Sequence, residues 1–330
     1  MSTEPAVSTA VRQQYREIRR ARLFRLLGAI ALIGALAVVF LISLIAVKFR
    51  LGDLVKYGPS FVDALTQYFP ITDYDVGILT VPFLDFGQYW SFIVERNLLF
   101  NFDEVGLSLA VFGEAGVTLS MAIAGTILGF PLALVFGVLG SGRVVPFPFN
   151  FIFRGTMSTI RAIPALVWAL IYVPLGGISA FTATLAIATD TIGNLGRLYT
   201  DELEEIEDGP IEAMETTGGS RPQTIAFGML SQVHTSFIAW TLYIFEINVR
   251  IAVSLGIIGG GGLGGVLNVQ KGLFHYTNMM ATILVIILLI LTIELCSQRI
   301  RARLRADEEP MDLSELISGF GDRFTDALTK

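Results

Sequence analysis

Cysteine is almost missing: Cys296 is the single one in 330 residues, so no intrachain disulfide can form and no cysteine cluster exists to hold zinc. Histidine is nearly as scarce. His234 and His275 lie far apart, and no H-E-x-x-H occurs, so the sequence supports no metal site. There is also no G-x-x-x-x-G-K-[ST] phosphate loop, which argues against ATP binding and hydrolysis by this chain, and no bound cofactor is expected. Charge is sparse: 16% of residues are Asp, Glu, Lys or Arg, and four of the 23 basic ones are Lys. That lysine deficit fits GC-rich coding or a salt-adapted host equally. With a net charge of −6 and a pI of about 5.1, and with arginines gathered at the ends of apolar segments, no nucleic-acid partner is inferred. Low-complexity tracts and repeats of roughly 20–50 residues are absent as well.

What the chain has in quantity is apolar surface. It is 53% hydrophobic with a mean hydropathy of +0.65, too apolar for an ordinary soluble protein, so it belongs with membrane lipid. Residues 1–22 are polar, with Arg12, Arg16, Arg19, Arg20 and Arg22, and lead into a nearly unbroken apolar run over 23–47. That run of about 25 residues can cross a bilayer of about 30 Å. It exceeds the roughly 7–15-residue core of a cleavable leader, so it reads as an uncleaved first transmembrane helix behind a cytoplasmic N-terminal segment.

Residues 48–111 are mixed, with Pro59, Pro70, Pro82, Tyr68, Tyr74, Tyr89 and Trp90, and are expected to be extracytoplasmic. Amphipathic pieces at 61–68 and 92–102 suit the lipid interface. Further spans are expected at about 114–139, 154–173, 176–199, 224–249 and 278–297. In the first of these, Gly125 and Gly129 have the spacing that lets another helix approach closely, and Pro131 is a potential kink. The predicted fold is therefore an all-α, multi-pass membrane helix bundle of about six transmembrane helices. Its core is 112–298, with a cytoplasmic loop at about 201–223 and a cytoplasmic tail at 299–330. Arg143, Arg299, Arg301, Arg303 and Arg305 mark the cytoplasmic side, which puts both termini inside the cell membrane. In the tail, Leu313, Leu316, Ile317, Phe320, Phe324 and Leu328 recur at helical spacing, consistent with docking on a partner or headgroups or with a solvated end. Gly319–Asp322 spells GFGD, an aspartyl-protease-like run in a polar tail, and is discounted.

The stretch GPIEAMETTGGSRPQTIAFGMLS (209–231) is a short polar helix between long apolar segments. Gly209 is a tolerable N-cap, Pro210 fits the first helical position and Glu212 falls at N3, where a carboxylate favours the helix N-terminus. Gly218 and Gly219 supply left-handed residues to end the helix near 218, and Pro222 stops it from continuing. Glu212-Ala213, Gly218 and Leu230 resemble the EAA loop of ABC importer permeases, with Met214, Gly228 and Ser231 departing from its Ala, Ile and Pro. RAIPALVWAL (161–170), TIGNLGRLYTDELEEIEDGPIEA (191–213) and FEINVRIAVSLGIIGGGGLGG (245–265) are similar to the phosphonate-type permease, in that family's order. The resemblance covers about 112–298. It implies a type I ABC importer permease fold, a second permease copy forming a homodimer, and two cytoplasmic ATPase subunits using ATP and Mg. An extracytoplasmic phosphonate- or phosphate-binding protein is implied too, for which 48–111 is an alternative docking surface. Glu212, Ala213, Gly218, Gly219 and Arg221 would meet the ATPase.

Several residues at membrane depth are candidates for a translocation pathway. Glu246 and Arg250 stand at i and i+4, able to neutralise each other. Ionised groups in a bilayer normally face a bundle interior or a wet cavity. Arg250, with Arg161, is expected to offset an anionic solute, since a planar guanidinium suits phosphonate-like oxyanions; the alternative is a structural ion pair. Pro164 bends its helix and shapes a gate, or simply packs. Asp190 with Asn194 forms a second pathway face or an interhelical hydrogen bond. Gly259, Gly261 and Gly264 match G-x-G-x-x-G, but without a preceding globular strand or a following acid they suit a re-entrant turn or a close helix approach, with N–H groups able to face a passing anion. Solutes other than phosphorus oxyanions remain open. A membrane-embedded enzyme would need Asp190, Glu246 and His234 to converge.

Overall fold

The structure is a computed structural model that describes residues 4–76, 79–101 and 112–304. The amphipathic pattern of the tail and its GFGD run fall outside the described residues. Two compact units divide the chain, residues 1–66 and 67–330, and each is described by itself.

The first unit holds helix α1 (Glu4–Ala46) and most of α2 (Leu51–Tyr68). Within α1 the apolar stretch Arg20–Ala46 is 27 residues long, about 40 Å at 1.5 Å per residue. Its apolar side chains are bare, Phe24 being 74% and Ile45 76% exposed, as suits a helix solvated by lipid.

The second unit begins with a departure from an all-helical chain. Strands β1 (Ile71–Val76) and β2 (Leu79–Leu84) pair antiparallel from Ile71↔Leu84 to Val76↔Leu79 and lead into α3 (Phe86–Glu95). Asp85 joins them. Its carboxylate accepts from Gly87 N–H (3.0 Å) and from the Gln88 side chain and Thr72 hydroxyl (both 2.9 Å). The Thr72 hydrogen bond, then that of Gln88, holds the Asp85 carboxyl below its ordinary value.

The core bundle follows: α4 (Gly113–Gly140), α5 (Phe149–Ala162), α6 (Ala165–Ile171), α7 (Val173–Gly176), α8 (Ala180–Glu204) and α9 (Gly209–Thr216). After the short α10 (Arg221–Gln223) and a wide turn at Thr224–Met229 come α11 (Leu230–Leu255), α12 (Gly262–Gly272) and α13 (Tyr276–Leu304). Packing partners fix their directions. Gly125 of α4 lies against Ile187 of α8, Gly129 against Ala188 and Thr191, and Gly137 against Tyr199, so α4 and α8 are parallel. A Cβ at Gly129 would sit 2.5 Å from the Ala188 carbonyl oxygen, so the expected close helix approach is real. α11 runs antiparallel to both, Asn248 meeting Thr126 and Thr191 while Phe237 stacks on Tyr199 at 3.9 Å. The return between α4 and α8 is made by α5 and α6, and α13 runs antiparallel to α11. The ends of α4, α8 and α13, the starts of α5 and α11, and α9 therefore share one end of the bundle.

Among the described residues four helices are long and apolar enough to cross a membrane: Arg20–Ala46, Gly113–Gly140, Arg221–Gly260 and Tyr276–Leu304. The span expected at 154–173 is broken in two. Ile163 is extended (φ −101°, ψ 116°), as a residue before proline tends to be, and Pro164 caps α6. The span expected at 176–199 is α8, whose 25 residues reach about 37 Å, but whose buried side carries Thr182, Asp190, Thr191 and Thr200. Pro131 leaves α4 unbroken.

Candidate functional site

The loop between α8 and α11 is punctuated much as its sequence implies, shifted by one residue. Asp208, not Gly209, is the N-cap; Pro210 takes the second helical position, and Glu212 stays in the first turn. Only Gly218 is left-handed, at φ +79°. Gly219 does not need its achirality for that reason, since the exit is a six-to-one and five-to-two hydrogen-bonded cap: Gly219 N–H to Met214 O and Gly218 N–H to Glu215 O, both 3.0 Å. Ser220 and Gln223 then form a reciprocal cap that restarts the chain toward α11. Glu212 and Ala213 lie exposed on the outer face of α9.

Two of the three departures from the EAA pattern explain each other. Met214 is half-buried, and its Cγ would lie 3.4 Å from a Cβ built on Gly228. The larger side chain at 214 occupies room that the smaller residue at 228 leaves. The third, Ser231, sits in a continuous helix with its hydroxyl donating to the Phe227 carbonyl.

The loop is tied to the turn between α4 and α5. Arg143 pairs with Asp208 at 2.5 Å and donates through Nε to the Glu204 carbonyl at 3.1 Å. Arg221 donates to the carbonyls of Arg143 (3.2 Å) and Val144 (3.1 Å). Glu204 pairs with Arg154 and accepts from Gly142 N–H. Three basic side chains thus hold the exits of α4 and α8 against the start of α9.

Above this end a cavity of about 320 Å³ opens between α5, α8 and α11. Arg161, Asp190 and Asn194, singled out in the sequence, come together there: Arg161 Nε donates to Asn194 Oδ1 (3.1 Å), and Asn194 Nδ2 to Asp190 Oδ2 (2.9 Å). Arg197, Asp201, Tyr243 and Asn248 also line it and escaped the sequence reading. A signal existed for the first two. Arg197 follows Asn194 by three residues and Asp201 follows Arg197 by four, the spacing of one helix face, and the latter two pair at 3.0 Å.

The other pathway candidates lie elsewhere. Glu246 and Arg250 do not neutralise each other: Glu246 pairs with Arg301 at 2.8 Å and Arg250 with Glu294 at 3.2 Å, so both serve the α11–α13 contact. Pro164 breaks α5 from α6. Gly259 (φ +118°) and Gly261 (φ +86°) shape the turn from α11 into α12, outside the cavity. That turn is anchored where Leu263 N–H donates to Thr118 Oγ1 at 3.0 Å. Asp190, Glu246 and His234 do not converge, the last being exposed near the start of α11 beside Ser231.

A parallel pair of closely packed helices, a broken return and a capped loop bound to the bundle's end make up this multi-pass helical bundle. Residues 125–307, more than half the chain, match the family of binding-protein-dependent transport system inner membrane components, and the chain belongs to that family. It is 32% identical over 215 residues to the phosphite transport permease candidate HtxC of Stutzerimonas stutzeri, covering 65% of this chain and 75% of that protein. Against the phosphate-import permease PhnE of Mycolicibacterium smegmatis it is 33% identical over 205 residues, 62% of this chain but 38% of PhnE. Against the phosphite permease PtxC of Stutzerimonas stutzeri it is 28% identical, covering 56% and 67% of the two chains. The fold resembles the inward-facing MetNI methionine ABC transporter (TM-score 0.53, 19% identity, 58% of this chain and 94% of that chain). It also resembles an amino acid ABC transporter (TM-score 0.52, 16% identity, 68% and 100%). The chain is a permease subunit of an importer, not an enzyme.

Proposed function

We propose that this permease carries a phosphorus oxyanion, a phosphonate or the related phosphite or phosphate, inward by alternating access. The observation that carries the reading is the cavity holding Arg161 and Arg197 beside Asn194, in a chain whose relatives bear phosphite and phosphate transport names. Guanidinium groups suit the planar, multi-oxygen face of such solutes. Both chain termini and α9 lie on the cytoplasmic side in this reading, where arginines accumulate. Two copies of the chain form a homodimer, each meeting an ATPase subunit that binds ATP and Mg, and an extracytoplasmic binding protein delivers the solute. α9, with Glu212, Ala213 and Gly218, seats in the ATPase, and the ties from Arg143 and Arg221 pass its displacement to α4, α5 and α8.

The test is ATP-driven uptake of labelled methylphosphonate, phosphite and phosphate into proteoliposomes containing the complete transporter and its binding protein. Uptake of at least one is expected, with Arg161→Ala lowering it while the complex still assembles. Transport of some other solute, and of none of these three, overturns the reading.

A further inference from the structure

Asn248 sits wholly buried where α4, α8 and α11 cross. The orientation of its amide is fixed by its neighbours. Thr126 Oγ1 donates to the Ala122 carbonyl at 2.7 Å and Thr191 Oγ1 to the Ile187 carbonyl at 2.8 Å, so each hydroxyl proton is already committed. Both hydroxyls can then only accept from Asn248. Nδ2 accordingly faces them at 2.8 and 2.9 Å, and a flipped amide would set oxygen against two acceptors. Oδ1 is left on the other side, buried and without a partner. Asn248 lines the cavity, whereas Thr126 and Thr191 do not; the oxygen is thus the part of the amide left for the cavity.

A buried acceptor without a donor is costly, and a ligand that supplies the donor recovers that cost. The remaining charges narrow what the ligand is. Arg161 and Arg197 are offset by Asp190 and Asp201, so the cavity is formally neutral and offers acceptors beside its donors. Asp190 already accepts from Asn194, and Asp201 from Arg197. Asn248 Oδ1 is the acceptor among these that no protein group serves. We propose that Asn248 is a specificity-determining residue: its amide oxygen accepts a hydrogen bond from the P–OH group of a singly protonated phosphorus oxyanion whose remaining oxygens face the arginines. The permease, independently of its binding protein, thereby prefers a hydroxyl-bearing monoanion to a monoanion of the same shape lacking a hydroxyl. This rests on the oxyanion reading above.

Methylphosphonate and dimethylphosphinate are near-isosteres that differ by a hydroxyl replaced with a methyl group, so they isolate the donor. Labelled methylphosphonate is bound at equilibrium to the nucleotide-free transporter complex in nanodiscs, at a pH where its monoanion dominates, and competed with dimethylphosphinate. The wild type is expected to favour methylphosphonate by about tenfold, as the loss of one hydrogen bond to an ionised partner implies. Asn248→Leu should bind both equally, at the weaker level. Equal binding by the wild type, absence of saturable methylphosphonate binding, or a preference that survives Asn248→Leu each overturns the proposal. The wild-type ratio decides even where Asn248→Leu fails to assemble. Because uptake is measured separately, a transporter that imports methylphosphonate without this preference loses only the role of Asn248.

Discussion

Arg250 lies 3.2 Å from Glu294 on the neighbouring helix and leaves Glu246, its own i−4 residue, to Arg301. Two ion pairs therefore cross between α11 and α13 where one intrahelical pair was expected. Removing a partner from a buried pair strands the other charge, at roughly 3–5 kcal/mol, and Glu246 is the more buried carboxylate of the two. Arg301→Ala, which strands Glu246, is expected to lower thermal stability of the purified transporter strongly. Arg250→Glu combined with Glu294→Arg should recover assembly that Arg250→Glu alone impairs. Failure of the double reversal to recover it, measured by size-exclusion chromatography and thermal unfolding, would show that the contact between helices does not depend on these charges.

Gly218 has φ +79° and open space around the position of a Cβ. The cost of a side chain there is backbone strain rather than collision, about 1–2 kcal/mol for an L-residue in the left-handed region. Gly218→Leu is expected to insert normally but to release the α9 exit, so that ATP hydrolysis continues with less solute carried per ATP. Gly218→Asn should be milder, because Asn tolerates that region better. Uptake and hydrolysis measured together on the same proteoliposomes decide it; an unchanged ratio in Gly218→Leu removes the need for a left-handed exit.

The bundle and the loop were legible because they depend on local rules: apolar run length, small residues four apart at Gly125 and Gly129, and a Pro–Gly frame around α9. Pairings across helices were not. The i,i+4 rule put Arg250 with Glu246, but the packing angle of α11 against α13 decides which carboxylate each guanidinium reaches. Asn248 gave no signal either, since its role arises from two threonines whose hydroxyls are spent on their own helices, a fact that exists only once three helices cross. Even Pro164, read as a bend, does more through its neighbour, because it is Ile163 that leaves the helical region and splits the span.

Asp85 offers a pH-dependent readout outside the bundle. Its folded-state pKa is lowered from the ordinary 3.8, by Thr72 first and then by Gln88. A depressed carboxylate pKa contributes stability that is fully present above the unfolded value and is lost as pH falls through the folded one. Protection of the Gly87 and Gln88 amides, whose N–H groups it caps, measured against the intrinsic exchange rate at each pH, should therefore hold down to about the ordinary value and fall below it. Asp85→Asn should weaken the cap and flatten this dependence. Wild-type protection that is indifferent to acid would mean that the carboxylate does not hold the junction between β1 and α3.

The compensation between Met214 and Gly228 is open to the most direct test, because it predicts a rescue. Restoring the family-like residue at one position alone, Gly228→Ile, drives a branched side chain toward Met214 Cγ, which stands 3.4 Å from where its Cβ would be, and toward the Pro210 carbonyl at 3.6 Å. Overpacking of this kind costs about 1–3 kcal/mol, and the strain falls on α9, displacing the helix from the start of α11. Gly228→Ile is therefore expected to reduce coupled transport, and Met214→Ala in the same chain to return it, since the second change gives back the volume the first consumes. Met214→Ala alone should leave a small void and a modest loss. A double variant no better than Gly228→Ile would mean that the two departures arose independently, and that the Pro210 carbonyl rather than Met214 sets the limit on residue size at 228.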